Sequence, residues 1–252
     1  MSITFSNYDL QTLLAHPFKQ KSGKNRLGIL AGVFLSSFLI PILPLFLVAG
    51  YLGVIIRRIV SEDGEFELPP WDEMGAYFSL GLKLNGAAFI YMLPVVLLIV
   101  GGYIFMMFPV FSDAFSPGYG YMSDAEVLSQ MGAMFGGFAI VGLGILLSLP
   151  LSFIVPVAGI HLIAEDRFAA AFDVKKWWQI IGANLSGFFV SFVLSFGLYF
   201  VAVFLAQIFY MTLVLCILIP VILSAAFAYL GVISSAVFGI AYKNGVENLA
   251  GE

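Results

Sequence analysis

Charge is what this sequence has least of. Only 10% of its 252 residues are Asp, Glu, Lys or Arg, against roughly 25% in a soluble domain. Hydrophobic residues make up 61% and the mean hydropathy is +1.03. No water-soluble core could hide that much apolar surface, which excludes a soluble globular protein. The single cysteine, Cys216, excludes a structural disulfide within the chain and reads as a small buried filler. A net charge of −4 is too small to imply a polyanionic or polycationic partner, and no nucleic acid is expected. There is no Gly-rich phosphate loop, serine elbow or Cys-x-x-Cys. Catalysis, cofactor and metal are therefore not expected.

Long uncharged runs are abundant: Leu27–Ile56, Leu84–Ser112, Val127–Ala164 (with His161 neutral) and Trp177–Tyr242. A spanning helix needs about 20 apolar residues, and the last run is long enough for two spans joined by a turn near Gln207–Thr212. The runs do not alternate with a period of two and are too long for barrel strands. Backbone groups in lipid must be satisfied within the segment, so these runs are helices. The first 26 residues are polar and basic, and no cleavable signal peptide is expected. The fold class is all-α: a polytopic transmembrane helical bundle of four to five full spans in one integral membrane domain, residues 1–252. Pro41 and Pro44 break the first run, giving either a hairpin of two halves of about 14 residues or one kinked span.

The stretch ELPPWDEMGAYFSLGLK, Glu67 to Lys83, interrupts this grease. Pro69 and Pro70 suit a first helical turn, and Asp72 and Glu73 suit a helix N-terminus. Trp71, Met74, Phe78 and Leu82 share a face. The pattern predicts an amphipathic helix lying along the membrane surface, with Trp71 as its anchor. A second interfacial helix is expected in FDVKKWWQIIGANL, where Val174, Trp177, Trp178 and Ile181 lie opposite Lys175, Lys176 and Gln179. Asn85 and Asn184 occupy matching places where these elbows enter the bilayer and are the candidate polar sites inside the bundle. A loose internal repeat, 27–110 and 127–210, is followed by a last span at 212–240. Ser123 and Glu126 form a capping box that starts the third span.

All eleven basic residues fall in the N-terminal segment, the two elbows and Lys243. The positive-inside rule then places both termini in the cytoplasm. Rows of small residues (Gly28-Gly32-Ser36, Gly132-Gly136, Ser191-Ser195, Gly231-Ser235-Gly239) suit close helix packing or an interface between subunits. His161, Glu165 and Asp166 beside Arg167 suit ion pairing better than a metal site, which needs three or four ligands.

Residues Leu68, Pro69, Trp71, Asp72, Gly75, Gly81, Leu82, Lys83, Tyr91 and Pro94 resemble the pattern of an uncharacterised prokaryotic membrane family, the domain of unknown function 4013. Ala171-Phe172-Asp173 and His16-Pro17-Phe18 resemble two further elements of it. Glu73-Met74 stands where many members have Asp-Trp. The resemblance implies a multi-pass protein of a bacterial or archaeal plasma membrane and carries no activity with it. From the residues themselves, the expected role is a non-enzymatic scaffold or accessory subunit. Its partners would be the lipid bilayer and other membrane subunits or further copies of the chain. The alternative is a transporter or channel for a small neutral or lipid-like solute: broken hydrophobic segments favour it, whereas spans free of Asp, Glu, Lys and Arg count against it.

Overall fold

The computed structural model describes residues 4–5, 8–61, 66–114, 123–211 and 217–251. Among the described residues, a two-residue β pairing, Thr4–Phe5 with Tyr8–Asp9, precedes eight α-helices. These are α1 (Leu10–Lys19), α2 (Gly23–Ser36), α3 (Leu43–Ser61), α4 (Met74–Ala114), α5 (Asp124–Glu165), α6 (Val174–Ala183), α7 (Leu185–Tyr210) and α8 (Ile219–Gly251). A 3-10 turn at Phe168–Phe172 links α5 to α6. Five helices among the described residues, α3, α4, α5, α7 and α8, are long and apolar enough to cross a membrane. The chain is a helical, multi-pass membrane protein.

Two compact units divide it, with boundaries inside α4 and α5: Met1–Ala87 with Pro156–Glu252, and Ala88–Val155. In the larger unit α8 is the axis. α7 runs antiparallel to it: Asn184 Nδ2 donates to the Ala241 carbonyl (2.9 Å) and Ser191 Oγ to the Val237 carbonyl (3.1 Å). α3 runs parallel to it, since Gly231 lies against Leu52 and Gly239 against Ile59. Those two glycines pack helices, as their spacing predicts. Gly28 and Gly32 do not: nothing lies within 4 Å of where their Cβ atoms would stand.

The first greasy run is broken at 37–42, where Ile42 takes φ of 83° and Pro41 stands beside it. Pro44 falls in the first turn of α3, where a missing N–H leaves no bond unmade. The halves fold back as a hairpin. Trp71 donates its indole N–H to the Arg26 carbonyl on α2 (3.1 Å) and stacks on Tyr51 of α3 (4.3 Å between centroids). One continuous kinked helix would separate residues 26 and 51 by about 37 Å at 1.5 Å per residue, beyond the reach of a single side chain. Folded at 37–42, the two positions stand nearly equidistant from the turn. α3 has 19 residues, longer than the expected half; α2 has 14.

The smaller unit is an antiparallel helix pair. Gly102 and Gly137 meet backbone to backbone: a Cβ on Gly137 would lie 2.8 Å from the Gly102 carbonyl oxygen, and one on Gly102 would lie 3.0 Å from that of Gly137. Gly136 faces Phe105 and Gly144 faces Leu98 and Ile99. Gly132, expected in this row, faces open space. Outside the seam the pair exposes Phe89, Leu97, Ile104, Phe108, Phe135 and Leu146, as helices do when hydrocarbon surrounds them. Ahead of it, the capping box at the start of α5 is formed: Ser123 N–H donates to Glu126 Oε2 (2.6 Å) and Glu126 N–H to Ser123 Oγ (3.3 Å).

The two elbows differ from one another. The second is the amphipathic helix α6, capped by Asp173, whose side chain accepts from the Lys176 N–H (3.4 Å). The first is not a separate surface helix. Residues 66–70 are extended and α4 begins only at Met74. Consecutive prolines explain the correction: each ring disfavours the helical region for the residue before it, so Leu68 and Pro69 are driven to extended backbone.

Candidate functional site: the cradle of the Leu-Pro-Pro-Trp segment

An extended segment buried in an apolar bundle has no ladder to satisfy its main chain, and each orphaned group is costly. Here side chains take over that task. Phe66 and Leu68 are buried (2% and 0% exposed). Gln20, at the end of α1, serves both: its Nε2 donates to the Phe66 carbonyl (2.8 Å), and its Oε1 accepts from the Leu68 N–H (3.1 Å). Arg26 of α2 donates to the Leu68 carbonyl and pairs with Glu67 (3.1 Å). The Tyr51 hydroxyl donates to the Pro69 carbonyl (3.0 Å), and the Tyr77 hydroxyl donates to the Pro70 carbonyl. Four main-chain carbonyls in five residues thus accept from four side chains on α2, α3, α4 and the end of α1. Pro69 and Pro70 have no N–H to satisfy, which is the physical reason two prolines suit this place.

Aromatic packing holds the same segment. Tyr51 and Trp71 lie nearly parallel (7°), and Tyr77 meets both edge-on at 5.6 and 5.9 Å. His16 stacks on Phe66 at 4.9 Å. Beneath them α3 and α4 touch through glycines: a Cβ on Gly50 would overlap the Tyr77 carbonyl, and one on Gly81 would overlap the Phe46 carbonyl.

A second polar network joins α3, α5 and α8 at the other elbow. His161 is buried (2% exposed), and its Nδ1 lies 2.6 Å from the Tyr242 hydroxyl. Asp166 pairs with Arg57 of α3 (2.8 Å) and Glu165 with Arg167 (3.0 Å), so the carboxylates form ion pairs. Sequence spacing signalled the carboxylate pairing but not Tyr242, which lies 81 residues from His161.

The expected anchors are placed differently from one another. Trp177 is buried at 2% exposure, with its indole N–H on the Ala171 carbonyl (3.1 Å). Ile180 and Ile181 are buried with it, because α6 lays that face on α8 rather than on lipid. Trp71 is held inside the cradle. Trp178 alone of the three presents a large exposed face, 57%. Single-tryptophan variants in vesicles with lipids brominated near the headgroup should therefore show strong quenching of Trp178 and at least threefold weaker quenching of Trp71 and Trp177. Equal quenching of all three would contradict these placements.

Asn85 and Asn184 are not brought to a shared site by any bond they form here. Asn85 Nδ2 donates back to the Gly81 carbonyl one turn earlier (2.9 Å). Asn184 caps α7, its Oδ1 accepting from the Gly187 N–H (3.2 Å), and ties α7 to α8 through Ala241. Both act on main chain. The residues that sequence reasoning missed are Gln20, Arg26 and Tyr51, which belong to the cradle but stand 46, 42 and 18 residues before the groups they serve.

The model of a family described as "Protein of unknown function (DUF4013)" matches residues 33–211. No curated protein and no solved structure matches the chain significantly. The matched region contains the extended segment, Tyr51, Tyr77 and the second elbow; Gln20 and Arg26 precede it.

Proposed function

This chain belongs to the DUF4013 family, and from the geometry of its polar groups we propose that it is a non-enzymatic scaffold or accessory subunit of a membrane complex. One observation carries this reading. The polar side chains of the motif region turn onto the chain's own carbonyls and N–H groups. That arrangement builds a rigid shape and leaves those donors and acceptors occupied. A carrier needs polar groups free to take over the solvation of its solute, and an enzyme needs an acid, base or metal beside a substrate. Its partners are the lipid bilayer and other membrane subunits or further copies of the chain. The membrane is the plasma membrane of a bacterium or archaeon, with both termini cytoplasmic. The parallel course of α3 and α8 favours that orientation, because it carries Arg57 and Arg58, near the end of α3, toward the same side as Lys243 in the C-terminal third of α8.

Extraction in native lipid discs followed by native mass spectrometry tests the reading. The expected result is a particle of fixed stoichiometry containing a second membrane subunit or further copies of the chain. A lone chain that conducts a small neutral solute in proteoliposomes would replace this reading with transport.

A further inference from the structure

The densest basic cluster of the chain lies at the turn from α1 to α2. Lys19, Lys21, Lys24 and Arg26 fall within eight residues, and no acidic residue stands between Asp9 and Glu62. Arg26 pairs with Glu67, and elsewhere Arg57, Arg167 and Lys176 each have a carboxylate partner. Lys19, Lys21 and Lys24 are exposed and form no ion pair among the described residues. Their turn is nevertheless fixed in place. Gln20 and Arg26, on either side of it, bond the extended segment. The Gly23 N–H donates to the Gln20 carbonyl (3.1 Å), and a Cβ on Gly23 would overlap the Pro17 carbonyl. α1 is tied to α8 in turn: the Tyr229 hydroxyl donates to the Leu14 carbonyl (2.9 Å), and its ring meets Phe18 at 5.5 Å. Three uncompensated cations therefore start from one rigid turn.

The hairpin of α2 and α3 gives the depth of that turn. Phe38, Leu39, Ile40 and Ile42 at its tip are all exposed, Leu39 to 86%, and a contiguous apolar patch of this kind belongs in hydrocarbon. α2 has 14 residues and rises about 21 Å from the tip. One leaflet holds roughly 15 Å of hydrocarbon. A tip near the bilayer centre thus sets the start of α2 among the lipid headgroups. Phe18 is 49% exposed beside Lys19, an apolar ring next to cations, as suits that boundary. Basic clusters flanking a membrane segment attract anionic lipid, whereas a zwitterionic headgroup brings its own cation and gains little. We propose that the α1–α2 turn is a docking site for anionic phospholipid headgroups, with Lys19, Lys21 and Lys24 meeting their phosphates and Phe18 set at the top of their acyl chains. The competing occupant is an acidic segment of a partner subunit, which would leave Phe18 without hydrocarbon around it.

Native mass spectrometry of the full chain in micelles, titrated with phosphatidylglycerol or phosphatidylcholine of identical acyl chains, tests the site. One basic residue near an anionic surface adds roughly fivefold in affinity. Wild-type protein should therefore retain phosphatidylglycerol at least tenfold more tightly than phosphatidylcholine. The K19Q/K21Q/K24Q variant should lose that preference, K21Q alone should weaken it about fivefold, and K19R/K21R/K24R should keep it. K175Q, which removes an exposed lysine from α6, should leave it unchanged. The thermal unfolding temperature of each variant should match that of wild type, since all four lysines are exposed. Equal retention of the two lipids by wild type overturns the proposal. So does a loss in K175Q as large as in the triple glutamine variant, or a loss in the arginine variant. An acidic subunit held at the turn in place of phosphatidylglycerol overturns it as well.

Discussion

Gly50→Ala should lower the stability of the protein by about 3 kcal/mol, the upper part of the range for overpacking a core. A mid-helix glycine replaced by alanine ordinarily gains roughly 0.5–1 kcal/mol, so the expected sign is reversed. The reason is the nature of the obstacle. The added methyl meets the carbonyl, carbon and Cα of Tyr77, all main chain, and no rotamer change can move them. Gly81→Ala meets the Phe46 carbonyl and the Gly50 nitrogen in the same way. The two substitutions disturb one helix crossing, so their effects should add to less than their sum once α3 and α4 have parted. Gly28→Ala and Gly32→Ala supply the contrast: open space surrounds both, and each should stabilise α2 slightly. Unfolding in mixed micelles would measure all four. A Gly50→Ala protein as stable as the Gly28→Ala protein would mean that α3 and α4 do not cross at this distance.

How much of this was legible beforehand follows from which forces are local. The spans, the capping box at Ser123 and Glu126 and the break at Pro41 depend on residues within a few positions of each other, and all were readable. The amphipathic α6 was readable as a helix, but its faces were not. Periodicity shows that Trp177 and Ile181 share a stripe; it cannot show that the stripe meets α8 rather than lipid, because both surroundings are apolar. The same ambiguity affects the glycine rows. Gly231 and Gly28 stand in identical small-xxx-small patterns, yet one contacts Leu52 and the other contacts nothing. Pro69 and Pro70 were misread for a further reason. A proline pair is compatible with a helix start or with extended backbone, and the choice was made by Gln20, Arg26, Tyr51 and Tyr77, whose positions only the tertiary fold supplies.

That dependence yields the other large effect. Gln20→Leu keeps the side chain's approximate volume and removes both of its bonds to the segment, along with its contact to His16, leaving the Phe66 carbonyl without a donor and the Leu68 N–H without an acceptor. Each buried orphan costs about 1–3 kcal/mol, so two of them should cost about 2–6 kcal/mol in total. Tyr51→Phe removes one donor, to the Pro69 carbonyl, and keeps the stacking on Trp71; its loss should be about half as large. Pro69→Ala acts from the other side. It introduces a buried N–H and frees the backbone torsion, so a proline-to-alanine change in a non-helical segment should be destabilising here. In all three variants the segment should leave its cradle before the helices separate, because the main-chain groups left without partners, or newly exposed, all belong to the segment and none to a helix ladder. Limited proteolysis of the protein in lipid discs reads this directly, as faster cleavage within 62–73 at temperatures where the remaining chain stays protected. Wild-type cleavage rates in the Gln20→Leu protein would show that the segment is held by its packing alone and that the hydrogen bonds to its main chain contribute nothing.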